Sequence, residues 1–175
     1  GYISVEEMRR YKADVTYLLA YNYFLLFELY GPTPIIPETA DPSDENVDYA
    51  RASVDEMVGH IDQLLESVIN GEYRDDLPET IKTGTGQDYT HDNSMYNLRE
   101  ILRPTKAAAL ALRARLWVYA ASPLFNGGYR EALSLTNKDG KRLFPDRDDN
   151  KWQTAKKHLE ALLRFAESHG MDLYY

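Results

Sequence analysis

Apolar residues recur at helical spacing in four stretches of the chain, each bounded by residues that start or stop helices. Ser4 and Glu7 form a capping-box pattern, after which Met8, Tyr11, Val15 and Leu18 follow every three to four positions. A helix from Val5 to Tyr30 is expected, stopped by Gly31 and Pro32. Its second half is apolar on nearly every side, so it needs cover from its neighbours. A second capping box, Ser53 with Glu56, opens a helix over 53–69 that carries Met57, Ile61, Leu64, Leu65 and Val68 on one stripe and ends at Asn70-Gly71.

Pro104 suits a first-turn position, and Thr105 to Ala121 is rich in good helix formers, with Leu110, Leu112, Leu116, Trp117 and Val118 among its alanines. Ala107, Ala108, Ala111 and Ala114 are expected at close helix contacts. A last amphipathic helix runs from Lys151 to Ser168 through Trp152, Ala155, Leu159, Leu162 and Leu163, and Gly170 is its stop. No segment alternates convincingly with period two. The expected fold class is all-α: tetratricopeptide-like helical hairpins with long connecting loops, although no clean 34-residue repeat is present. Residues 1–175 read as a single helical domain.

Between the helices lie two long connections. Residues 32–50 hold three prolines in their first six positions and then an acidic run; residues 71–103 lack periodicity and carry Gly84, Gly86, Asp88, Asp92 and Asn93. From Glu38 to Glu79 there are 13 acidic residues against Arg51 and Arg74, out of a whole-chain charge of −8. Such a stretch could bind calcium or a basic partner, but a solvated surface accounts for it as well. The overall charge argues against nucleic acid, which asks for a basic face. There is no cysteine, and the uncharged run Val15 to Phe27 is 13 residues, short of the roughly 20 apolar residues of a membrane span. The chain begins at Gly1 with no signal segment, which reads as a trimmed piece.

Catalytic patterns are not found. His60, His91, His158 and His169 stand alone, and neither a serine elbow nor a phosphate loop occurs. Asp146, Asp148 and Asn150 match the first positions of a calcium loop, but Lys151 and Lys157 occupy the places of its glycine and its bidentate glutamate. Helix-dipole stabilisation explains the acidic run better. No metal and no cofactor are expected. Arg113 and Arg115, inside an apolar helix, need a carboxylate or carbonyl partner if buried, and structural pairing accounts for them better than ligand binding. Among the 14 tyrosines, Tyr17 and Tyr21 read as core, whereas Tyr73, Tyr89 and Tyr96 lie in the aperiodic loop. With Asp92 and Asn93 they offer the flat faces and fixed polar groups that sugar recognition needs.

Three stretches resemble the SusD/RagB family of outer-membrane nutrient-binding lipoproteins of Bacteroidetes. The strongest runs from Thr105-Lys106-Ala107-Ala108-Ala109-Leu110-Ala111-Leu112 and Ala114-Arg115 to Tyr119-Ala120-Ala121-Ser122-Pro123-Leu124-Phe125-Asn126-Gly127. The second comprises Ala20-Tyr21-Asn22-Tyr23-Phe24 and Tyr30-Gly31-Pro32-Thr33-Pro34; the third is Trp152-Gln153-Thr154-Ala155. Leu19, where the family commonly has arginine, and Pro104 depart from the pattern. The resemblance implies an internal piece of a longer, lipid-anchored protein on the outer face of the outer membrane, its anchor lying outside this sequence. It implies a binding protein, not an enzyme, that captures oligosaccharides and delivers them to a SusC-like TonB-dependent transporter. The alternative is a helical-repeat adaptor for protein–protein interaction without glycan binding.

Overall fold

A computed structural model describes residues 3–37, 43, 48–80 and 103–172. Four α-helices make up the body: α1 (Val5–Tyr30), α2 (Val54–Ile69), α3 (Lys106–Ala121) and α4 (Asn150–Ser168), with a short 3-10 turn at Arg130–Ser134. Among the described residues the only β-pairing is an isolated antiparallel bridge, Thr136 with Arg142, closed around Gly140. The fold is all-α.

Both expected capping boxes form. The Ser4 hydroxyl accepts the Glu7 N–H and the Glu7 carboxylate accepts the Ser4 N–H; Ser53 and Glu56 repeat the arrangement. Thr105 caps α3 by accepting the Ala108 N–H at 3.1 Å, which places Pro104 just before the cap and not in the first turn. The start of α4 lies at Asn150, because the Asp148 carboxylate accepts the Asn150 N–H at 2.9 Å. Gly31 and Gly170 adopt positive φ at the ends of α1 and α4, as helix-terminating glycines do.

Consecutive helices pack antiparallel. Arg9, near the start of α1, pairs with Asp76 just past the end of α2; Lys106 N–H, at the start of α3, binds the Pro78 carbonyl; and His169, at the end of α4, reaches back to Glu79. α3 touches α1, α2 and α4, a stacking of helical hairpins on one another. The core between them is built from Phe24, Phe27, Val54, Met57, Ile61, Leu65, Val68 and Leu116, all fully buried.

The faces differ from the sequence reading on three helices; on α4, Trp152, Leu159 and Leu163 are exposed and only Lys151 and Ala155 are buried. On α1 the inward residues are Ala13, Ala20, Tyr23, Phe24 and Phe27, whereas Met8, Tyr11, Val15 and Leu18 point outward. Two apolar stripes lie on this helix, and spacing alone cannot tell which faces the neighbours. Tyr21 is likewise exposed and Tyr17 half-buried, stacked at 6.3 Å, so neither is a core residue in full. On α3, Ala114 is buried as expected, but Ala111 is exposed and Ala107 and Ala108 only partly covered; the close contacts fall at Ala109, Ala120 and Ala121.

The Leu124-Phe125-Asn126-Gly127 turn after α3 has a structural explanation at each buried position. Phe125 packs against Phe27, the rings tilted by 34° with centres 4.3 Å apart. Asn126, 3% exposed, donates to the Asp148 carbonyl and accepts the Asp148 N–H, both at 2.9 Å, fixing the turn to the entrance of α4. At Gly127, with φ of 70°, a Cβ would lie 2.4 Å from the Arg147 nitrogen.

Candidate functional site

The N-terminal half of α1 leaves an amphipathic face uncovered, and the turn after α2 curls beside it. Tyr73 sits in that turn, held by its own N–H to the Ser67 carbonyl and by its carbonyl to the Asp76 N–H. Between Tyr73 and α1 lies an open groove of about 540 Å³, lined by Met8, Tyr11, Lys12, Val15 and Thr16, with Ile3 at its mouth. Its size falls within the range of small-ligand clefts.

Ion pairs fix its floor. Arg9 donates to the Asp76 carboxylate at 2.8 Å and to the Glu72 carbonyl at 2.6 Å, and its guanidinium lies 5.7 Å from the centre of the Tyr73 ring. Arg103 grips Asp14 with two nitrogens at 3.0 Å and donates to the Asp76 carbonyl, so the same turn is tied to α1 twice. The Tyr73 phenol is held above its ordinary range, by desolvation first and by the Glu72 carboxylate beside it second. The Thr16 hydroxyl donates to the Lys12 carbonyl at 2.7 Å and keeps its oxygen as an acceptor.

The groove therefore presents the Tyr11 ring, the Lys12 ammonium and the Thr16 hydroxyl from α1 and the Tyr73 ring from the turn after α2. No Asp or Glu lines it among the described residues. Of the five residues named from sequence, Tyr73 lies here; Tyr89, Asp92, Asn93 and Tyr96 fall outside the described residues. Tyr11, Lys12 and Thr16 escaped sequence reasoning because they belong to a helix whose exposed side becomes known only once α2 is placed. Their one sequence signal is that Tyr11 and Val15 lie off the face defined by Ala13, Ala20 and Phe24.

Other charged clusters are structural. Arg113 binds Asp62 and Glu66, and Arg115 binds Glu28 at 2.6 Å beneath the rings of Phe24 and Tyr119. Lys151, 8% exposed, donates to Asp55 at 2.5 Å. Among the described residues no group of three or more His, Asp or Glu could hold a metal ion, and no helix is long and apolar enough to cross a membrane.

Solved structures of a protein designated BT4246 share this architecture. One is similar over 98% of the present chain at 28% identity with a TM-score of 0.77; a selenomethionine form matches over 100% at 27% identity and 0.73. The chain spans 26% of the length of those proteins. No protein-family model and no curated protein matches it.

Proposed function

We propose that this chain is the helical scaffold of a SusD/RagB-like surface protein that captures an oligosaccharide and passes it to a SusC-like TonB-dependent transporter. The observation that carries this reading is the groove in which Tyr11 and Tyr73 flank Lys12 and Thr16. Tyrosine rings stack on the C–H faces of sugar rings, and the hydroxyl, phenol and ammonium groups suit their hydroxyls. Binding and hand-over, not bond cleavage, is what the family resemblance implies. The resemblance of residues 105–127 to the family supports the same reading, and membrane attachment would come from a lipid anchor outside this sequence.

Calorimetric titration of the complete protein with oligosaccharides, before and after Tyr11→Ala and Tyr73→Ala, tests the proposal. A several-fold loss of affinity at an unchanged melting temperature is expected. Unchanged affinity in both variants removes the groove as the site. Affinity purification that returns soluble proteins and no transporter would favour the adaptor alternative.

A further inference from the structure

The C-terminal half of α1 carries an apolar surface that the four helices leave uncovered. Leu18, Leu19, Leu26, Leu29 and Tyr30 are between 40% and 70% exposed, although the residues opposite them, Ala20, Phe24 and Phe27, are fully buried. No charge occurs from Thr16 to Phe27, and the first beyond it, Glu28, turns inward to Arg115 and Tyr119. A helix apolar on both sides is an interior helix. The outward rows run 18-22-26-29 and 19-26-30, the ridges that a second helix packs into. Asn22, in the middle, donates one amide N–H to the Leu18 carbonyl at 2.7 Å, and its other N–H and its oxygen call for a polar group in whatever covers this face.

We infer that this half of α1 is covered by an apolar helix of the same polypeptide, from a part beyond these 175 residues. The inference rests on reading the chain as an internal piece of a longer protein. Its support is the length of chain outside the matched stretch: the solved relatives devote three quarters of their length to other parts. The uncharged face suits a permanent cover better than a partner that comes and goes, whose interface keeps more polar character.

The chain has no cysteine, which allows a direct test. Leu18→Cys and Leu29→Cys, with Lys157→Cys on the polar side of α4 as reference, are introduced into the 175-residue chain and into the complete protein. Maleimide labelling is then timed, with labelling of the parent proteins subtracted and folding checked by circular dichroism. Both α1 sites should label at the reference rate in the short chain and at least ~10-fold slower in the complete protein, where access requires local opening. Equal rates in both proteins overturn the inference. Protection in the short chain that grows with its concentration also overturns it, by making a second copy the occupant. A complete protein that shields α1 yet binds no oligosaccharide leaves this inference standing and removes only the proposed function.

Discussion

Arg113 on α3 and Asp62 on α2 meet in a two-pronged ion pair, Nε 2.7 Å from one carboxylate oxygen and Nη2 2.8 Å from the other. Glu66 engages a third guanidinium nitrogen, and the Trp117 N–H donates to the same Asp62 oxygen at 2.8 Å. Burial pushes the Asp62 carboxyl up, but Arg113 and Trp117 outweigh it and hold the group below the usual carboxylate range. Removing one partner strands the other in a largely buried site. Asp62→Ala should therefore cost on the order of 3 kcal/mol in chemical denaturation, and Arg113→Ala a similar amount. A double-mutant cycle should show strong coupling; additive losses would mean that the pair contributes little.

The same geometry sets the acid limb of stability. A carboxyl with a depressed folded pKa contributes stability that is present above its unfolded value, about 3.9, and disappears as pH falls through the folded value. Asp62→Asn should flatten the loss of stability below about pH 4.

Three histidines pull the neutral range in opposite directions. Burial lowers His60, and burial followed by Arg113 lowers His158, so both favour folding less as pH falls below about 6.5. His169 is raised by its bond to Glu79 and then by the Phe165 carbonyl, so its contribution is present below about 6.5 and is lost as pH rises through its folded value. Melting temperatures followed across this range should peak near the middle. His169→Ala should remove the decline on the alkaline side, and His158→Gln should lessen the one on the acid side.

Alanine positions on α3 give a sharp contrast. Ala109 and Ala114 are buried, and leucine at either should overpack the contact and cost about 1–3 kcal/mol, whereas Ala111→Leu, exposed, should stay within about 0.5 kcal/mol. Equal effects at all three would refute the assigned faces.

Gly127→Ala should be costly for a different reason. Its φ of 70° strains any side chain, and the added Cβ would meet the Arg147 backbone. A loss of at least about 2 kcal/mol is expected in urea melts, together with looser docking of the α4 entrance.

The positions of the helices could be read from the sequence because their signals are local. Ser4 and Ser53 cap, Gly31 and Gly170 stop, and each acts within a turn of where it stands; at α3 the cap is Thr105, where the sequence pointed to Pro104 in the first turn. Orientation was not legible. Met8, Tyr11, Val15 and Leu18 form as regular a stripe as Ala13, Ala20, Phe24 and Phe27, and only the placement of α2 and α3 decides which is inside. The candidate groove inherits that difficulty: Tyr73 could be picked out as a loop tyrosine, but Tyr11 and Thr16 join it only through the antiparallel return of α2. The partners of Arg113 lie 47 and 51 residues away in sequence, beyond any spacing rule.

Because α3 touches each of the other helices, the core cannot be complete until α3 has been synthesised. The α1–α2 hairpin leaves the ribosome with Phe24 and Met57 still lacking the wall that Leu116 completes, and Phe27 waits for Phe125. Cooperative closure must await emergence of the Ser122–Gly127 turn, after which α4 can dock on a finished surface. A pause in translation before that point would leave Phe24, Phe27 and Met57 without the cover that Leu116 and Phe125 provide.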